Sequence, residues 1–220
     1  MNTNLVQAIT ARVLEEIRGG GSSSGSTTPS RLLVPVGISV RHLHISQEDL
    51  ETLFGHGAQL HRRNDLYQPG EYAAQESVTV IGPKLRAIER VRILGPTRPK
   101  TQVEISRTDA ITLGVSPPVR DSGHLVNSES IVIVGPKGAI HLREGLILAG
   151  RHFHCPTDLA TRHGLKDRQI VRIRIVGEKA MMLENALMRV RDSFKPEVHL
   201  DTDDGNAAGL VCGDLVEILP

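Results

Sequence analysis

Short β-strand patterns run from Leu32 to the end of the chain and limit what it can fold into. Apolar and polar residues alternate over a few positions at a time, and Gly-Pro or Pro-Gly pairs separate several of these runs. The runs are LLVPVGISV, SVTVIG, RVRIL, QVEIS, SIVIVG, IVRIRIV and DLVEIL. Helix patterns are brief: one begins at Ser46 and ends at Gly55, and another covers Thr157 to Gly164. This pattern predicts a mainly β fold built from small barrels.

The first thirty residues carry a different pattern. Apolar residues recur every three or four positions in residues 1–18 and share one helical face: Val6, Ile9, Val13 and Ile17. Residues 19–30, GGGSSSGSTTPS, have the composition of a flexible linker. We therefore expect a tethered amphipathic helix that docks on another protein, with docking on the chain's own core as the alternative.

Paired histidines indicate metal chemistry. The segment Arg-His-Leu-His at 41–44 recurs as Arg-His-Phe-His at 151–154. Residues i and i+2 of a strand project from the same face, so each pair can present two imidazoles to one ion. The alternative is that these are ordinary surface or core histidines. Gly-Pro-Lys also occurs twice after a strand, at 82–84 and 135–137, which hints at an internal duplication.

Composition excludes several classes of function. The chain of 220 residues is 39% hydrophobic, which suffices for a core, but it has no apolar run of the roughly 18 residues that span a bilayer. A net charge of +1 and 2% aromatic residues argue against nucleic-acid binding. The two cysteines form no Cys-x-x-Cys pair, so a reducing cytosolic compartment is expected.

Five long segments resemble the PduL-type phosphate propanoyltransferases, the phosphotransacylases of bacterial microcompartments. They are VPVGISVRHLHIS, QPGEYAAQE, RILGPTRPKTQVEISRTDA, GRHFHCPTDLA and VHLDTDDGNAAG. The resemblance implies two small β-barrel domains capped by short helices, preceded by the tethered N-terminal amphipathic helix. The first barrel is expected to comprise residues 31–40 and 150–220, and the second residues 41–149.

The same resemblance assigns the site residues. It implies two divalent metal ions, with zinc as the expected identity. One ion would be held by His42, His44 and Glu104, and the other by His152, His154 and His199. Arg98 would bind inorganic phosphate, because a guanidinium can form bidentate bonds to phosphate oxygens, and Ser122 would hold Arg98 in place. The coenzyme A contacts would be Ser39, Arg92, Leu94, His199 and Asn206. Asn64 and Ile111 stand where the resemblance implies a lysine and a phenylalanine, respectively, so the nucleotide end of the coenzyme A pocket is expected to differ here.

The activity implied is reversible: acyl-coenzyme A, either propanoyl or acetyl, and inorganic phosphate give acyl phosphate and coenzyme A. Phosphate is already an anionic nucleophile, so we expect direct attack on the thioester without an acyl-enzyme. Cys155 is the rival nucleophile, but it should point to the opposite strand face from His154. The competing interpretations are a zinc-dependent thioester hydrolase and a non-catalytic, metal-stabilised scaffold associated with a shell.

The resemblance also gives the N-terminal helix a role as an encapsulation peptide. It would bind microcompartment shell proteins and carry the enzyme into the microcompartment lumen within the cytoplasm. The expected partners are thus acyl-coenzyme A, coenzyme A, phosphate and shell proteins, with no nucleic acid and no membrane. A homo-oligomer is left open.

Overall fold

A computed structural model describes residues 31–220, so the expected helix at 1–18 and the linker at 19–30 lie outside the described residues. Within that range there are fourteen strands and four short helices. The strands are β1 Leu32–Ser39, β2 His42–His44, β3 Arg62–Asp65, β4 Tyr72–Ile81, β5 Ala87–Gly95, β6 Gln102–Glu104, β7 Val119–Arg120, β8 Glu129–Val134, β9 Ala139–Ala149, β10 His152–Cys155, β11 Ile170–Ile175, β12 Met181–Val190, β13 Glu197–Asp201 and β14 Leu215–Leu219. The helices are α1 Gln47–Phe54, α2 Arg107–Leu113, α3 Thr157–Arg162 and α4 Thr202–Ala208.

One barrel combines the first strand with the C-terminal strands. Its order is β1-β13-β10-β12-β11-β14, closed by the antiparallel pairing of β14 with β1. Strand β11 shows why the sequence forms this wall, since its residues IVRIRI alternate between exposed and buried positions. Phe153, Met188 and Val198 lie in its core.

The second barrel is formed by the strands in between. A ring runs β4-β5-β2-β6-β9-β8 and closes where β8 pairs with β4, while β3 and β7 extend the sheet at β4 and β9. Leu43, Ile93, Val103 and Leu146 are fully buried in its core. The prediction of a mainly β fold with two small barrels and short helices is therefore confirmed.

The division of the chain into two domains stays a prediction. Residues Leu32–Pro220 form a single compact unit, so the two barrels are parts of one packed body. In residues 31–220, no helix has both the length and the apolar character needed to cross a membrane.

The repeated Gly-Pro-Lys turns lie against the C-terminal ends of helices. A Cβ on Gly82 would be 2.1 Å from the carbonyl oxygen of Leu113, in the last turn of α2. A Cβ on Gly135 would be 2.5 Å from the carbonyl oxygen of Leu53, in the last turn of α1. Lys137 N also donates to Leu53 O at 3.0 Å. Both turns therefore need glycine because a helix backbone approaches them closely.

Gly135→Ala is expected to lower the free energy of unfolding by about 1–3 kcal/mol, because the new methyl group meets backbone that cannot move aside easily. Urea denaturation measures this. Gly150→Ala is the matched control, since its Cβ would have neighbours at 3.7–3.8 Å; stability there should change by less than about 1 kcal/mol. Equal stability of the two variants would contradict the close packing of this turn.

Candidate metal centre

The first histidine pair meets Glu104 across neighbouring strands of the second barrel. His42 lies directly opposite Glu104 in the antiparallel pairing of β2 with β6. His42 Nε2 is 3.6 Å from Glu104 Oε2, and His44 Nε2 is 3.9 Å from Glu104 Oε1. All three side chains are buried, with at most 8% of each residue exposed. We call this group the first triad.

The second histidine pair meets His199 in the same way in the first barrel. His152 lies opposite His199 in the antiparallel pairing of β10 with β13, and their rings stack at 4.7 Å between centroids. The rings of His154 and His199 are 4.5 Å apart. We call this group the second triad. In each triad the potential ligand atoms lie within 4.8 Å of one another.

A backbone carbonyl fixes the first histidine of each pair. His42 Nδ1 lies 2.9 Å from Val40 O, and His152 Nδ1 lies 2.9 Å from Gly150 O. A carbonyl only accepts, so Nδ1 carries the proton in both rings and Nε2 presents a lone pair. This arrangement is typical of metal-bound histidines, whose second nitrogen is held by an acceptor.

The chemistry of both triads fits a metal ion. Among the described residues, His44 Nδ1, His154 Nδ1 and His199 Nε2 are buried without a hydrogen-bond partner. Buried polar atoms normally have partners, and the Nδ1 atoms of His44 and His154 can each offer a lone pair to an ion. Three protein ligands per ion leave positions for water or substrate, as in catalytic rather than structural zinc sites.

Burial lowers the pKa of His44, His152 and His154 and so keeps these three side chains neutral. Desolvation, followed by the neighbouring His42, lowers the pKa of His44 to about 3. Desolvation, followed by His199, lowers the pKa of His154 to about 3 and that of His152 well below its ordinary value. Burial alone would raise the pKa of Glu104, but His42, His44, a hydrogen bond with Ser122 and the charge of Arg98 together outweigh it, and the net pKa is lowered. A neutral histidine and an ionised carboxylate are the forms that bind metals.

The metal-free protein is expected to lose stability as the pH falls from about 6.5 toward 3. In that window the unfolded chain protonates His44 and His154, whereas the folded chain keeps them neutral. The loss should be at most about 1.4 kcal/mol per pH unit for each histidine. Urea denaturation after chelation, at pH 4 to 8, measures the slope. His44→Asn should flatten it, and an unchanged slope in that variant would contradict a neutral His44.

Arg98, predicted to bind phosphate, and Ser122, predicted to hold Arg98 in place, are linked by hydrogen bonds to the first triad. Arg98 Nη1 donates to Ser122 Oγ at 3.3 Å, and Arg98 Nη2 donates to Glu71 Oε1 at 3.2 Å. Gln102 Nε2 donates to the same Ser122 oxygen at 2.8 Å and also to Glu104 Oε1. A continuous chain of contacts therefore runs from the Arg98 guanidinium to a metal-ligand candidate. The sequence alone did not reveal the roles of Glu71 and Gln102.

A second arginine lies within electrostatic reach of both triads. Arg189 lies opposite His154 in the pairing of β12 with β10, so the two side chains share a face of the sheet. Arg189 contributes to the lowered pKa of His152 and His154, and Glu104 acts on the pKa of Arg189. Burial lowers the pKa of Arg189 itself. No sequence signal singled out Arg189; because its neighbour Met188 packs in the core of the first barrel, Arg189 lies on the opposite strand face, together with His154.

The arginine before each histidine pair anchors a helix. Arg41 Nε donates to Asp109 Oδ1 at 2.8 Å. Arg151 donates to Asp204 through Nε at 2.7 Å and Nη2 at 2.8 Å. Each aspartate belongs to the first turn of the helix that follows the third ligand of its triad, α2 or α4. The duplication hinted at by the histidines thus extends to this ion pair.

The predicted coenzyme A contacts lie in two places. Arg92 lies opposite His42 in the pairing of β5 with β2, and its Nη1 donates to the carbonyl oxygens of Ala74 and Gln75. Leu94 lies on the same strand, β5. Ser39 ends β1 opposite Asp201, the N-cap of the helix that carries Asn206. His199, on β13, is shared with the second triad. Their role in coenzyme A binding stays a prediction.

Comparison with known proteins connects this site to one family. A family model described as phosphate propanoyltransferase matches residues 35–211. A protein of Lachnoclostridium phytofermentans with the same description is 48% identical over 220 residues, the full length of both chains. A protein of Thermotoga maritima so described is 53% identical over 185 residues, 84% of this chain and 88% of its own. One from Priestia megaterium is 48% identical over 214 residues, 97% of this chain and 95% of its own.

Proposed function

The chain belongs to the phosphate propanoyltransferase family, and on that premise we propose that it transfers a short acyl group reversibly between coenzyme A and inorganic phosphate at the two triads. Propanoyl-coenzyme A is the first substrate to test, since relatives carry its acyl group in their names, and acetyl-coenzyme A is the second. The observation that carries the proposal is the contact chain from Arg98 to Glu104, which links the proposed phosphate-binding arginine to a metal-ligand candidate.

The two triads would hold one divalent ion each, and zinc suits their imidazole and carboxylate ligands. When bound there, such an ion supplies a Lewis acid that polarises a carbonyl and stabilises negative charge on its oxygen. The protein's contribution is orientation: Val40 O and Gly150 O turn the rings of His42 and His152 so that Nε2 is available.

Arg98 would bind the attacking phosphate. Its guanidinium can make two parallel bonds to phosphate oxygens, and Ser122 and Glu71 hold its two terminal nitrogens in one orientation. Less side-chain freedom is therefore lost when phosphate binds. Fixing phosphate next to the thioester replaces a bimolecular encounter with a positioned attack. Arg189 adds a second positive charge on the face of His154, where an anionic substrate would gain from it.

Direct attack by phosphate is favoured over an acyl-enzyme. The rival nucleophile Cys155 is fully buried in the core of the first barrel. Burial raises the pKa of its thiol to about 11, so almost no thiolate is present at neutral pH. Labelled coenzyme A should therefore not exchange into propanoyl-coenzyme A when phosphate is absent. Exchange at a rate near that of turnover would instead indicate a covalent acyl-enzyme.

Product identification tests the proposed function. Metal-loaded protein is incubated with propanoyl-coenzyme A and inorganic phosphate, and the mixture is followed by phosphorus NMR. The proposal predicts a new acyl phosphate resonance that grows in step with free thiol. Free propanoate without acyl phosphate would instead indicate the thioester hydrolase. A protein with two bound metals and no product from either acyl-coenzyme A would favour the shell-associated scaffold.

Residues 1–18 are proposed to carry the enzyme into a microcompartment lumen by binding shell proteins. The support is the apolar stripe of these residues and the Gly/Ser composition of residues 19–30. Deletion of residues 1–18 should leave turnover unchanged and abolish co-purification with shells. Loss of turnover in the deleted protein would count against a purely targeting role.

A further inference from the structure

The third ligand of each triad has a buried polar neighbour two residues earlier on the same strand. Gln102 precedes Glu104 on β6 and lies opposite His44. Glu197 precedes His199 on β13 and lies opposite His154. Gln102 is 2% exposed and Glu197 is 8% exposed. Alternation along a strand places each neighbour on the same face as its ligand.

In each pair of ligand and neighbour, one side chain is a hydrogen-bond donor and the other an acceptor, and these roles are exchanged between the two pairs. Glu104 is an acceptor, and its neighbour is an amide donor: Gln102 Nε2 donates to Glu104 Oε1. His199 carries an N–H donor in its neutral form, and its neighbour is a carboxylate acceptor: Glu197 Oε2 lies 3.0 Å from His199 Nε2. That contact has the length of an ion pair but not the angles of a hydrogen bond, and Nε2 has no other partner among the described residues.

Further contacts fix both neighbours. Gln102 Oε1 accepts from Gly123 N at 2.6 Å. Glu197 Oε2 accepts from Gln68 Nε2 at 3.0 Å, and Gln68 lies in the loop between β3 and β4 of the other barrel. A Cβ on Gly37 would lie 2.5 Å from Glu197 Oε1, so only glycine leaves space for this carboxylate. Neither side chain is thus free to turn away from its ligand.

We propose that Gln102 and Glu197 are matched positioning residues. Each orients the third ligand of its triad: Gln102 as a hydrogen-bond donor to Glu104, and Glu197 as a hydrogen-bond acceptor from His199. Glu197 would accept a hydrogen bond from His199 Nε2, which would leave the other ring nitrogen, Nδ1, as the one available to a metal ion. Gln102 holds one oxygen of Glu104 and leaves the other available. The inference rests on the proposed metal occupancy of the triads and deepens it by naming the residues that orient the third ligands. The chemistry of acyl transfer does not by itself require these two residues.

Metal affinity tests the proposal without reference to turnover. Metal-free protein is titrated with cobalt(II) against a competing chelator, and the visible absorption of the bound ion is followed. Wild type should bind two ions. Glu197→Ala should weaken one of them about 10- to 100-fold, Gln102→Ala should weaken the other, and the double variant should weaken both.

Two variants separate positioning from other roles. Glu197→Gln keeps an oxygen that accepts the His199 proton, so its affinity should stay within about threefold of wild type. Glu217→Ala is the matched control, since it removes a largely buried carboxylate on β14 of the same barrel; it should leave both affinities unchanged. Thermal unfolding of the metal-free variants identifies any that fail to fold.

The proposal is overturned if Glu197→Ala binds both ions as tightly as wild type, or if it weakens both equally. Glu197→Gln behaving like Glu197→Ala would also overturn it, because Glu197 would then be a direct ligand. Failure of the proposed function gives a different result: the affinities would follow the predicted pattern while phosphorus NMR detects no acyl phosphate.

Discussion

Arg98→Ala is expected to lower kcat/KM for phosphate by about 10²- to 10³-fold, the usual effect of losing one preorganised group that stabilises reacting charge. The structure supports so large an effect because the Arg98 guanidinium is held at both ends, by Ser122 and Glu71. Without it, phosphate would lose its bidentate partner and its orientation. Initial rates at varied phosphate concentration, with acyl-coenzyme A saturating, measure the change.

Two further variants sharpen this prediction. Arg98→Lys keeps the charge but not the planar fork, so it should recover only part of the loss. Arg162→Ala is the control, because Arg162 forms an exposed ion pair with Asp158 on α3. Its loss should leave kcat/KM for phosphate unchanged. A wild-type phosphate dependence in Arg98→Ala would remove this residue from phosphate binding.

His152→Ala is expected to reduce the metal content from two ions to one per chain and to lower turnover by at least about 10³-fold. The second triad would keep only His154 and His199, and two ligands hold a zinc ion far less well than three. Elemental analysis after dialysis, together with initial rates, measures both effects on the same sample.

The matched control is His141→Ala, which removes an exposed histidine from β9. It should leave the metal content and turnover unchanged. Two ions and full activity in His152→Ala would show that the second triad is not a metal site. One ion with full activity would show that the second triad binds metal without taking part in the reaction.

The local features of this chain were readable from its sequence because they depend on short-range geometry. Alternation over runs such as IVRIRI predicted strands, and Ser46 and Gly55 marked the two ends of α1. The shared strand face of His42 and His44 follows from the two-residue period alone. These inferences needed no knowledge of which strands are neighbours.

The third ligands depend on strand pairing between distant parts of the chain. Glu104 comes opposite His42, and His199 opposite His152, only because β6 pairs with β2 and β13 with β10. A strand glutamate or a histidine in an Asp/Gly-rich segment is usually solvent-exposed, so family resemblance alone singled them out. Gln102 and Glu197 gave no separate signal, although each stands two positions before a ligand and therefore shares its face.

Phosphate-dependent acyl transfer at the two triads is best measured by coenzyme A release from propanoyl-coenzyme A, with protein of known metal content, in the presence and absence of phosphate. We expect two ions per chain and release that requires both the metal and phosphate. Release that continues at the same rate without phosphate, or from metal-free protein, would rule out this reaction.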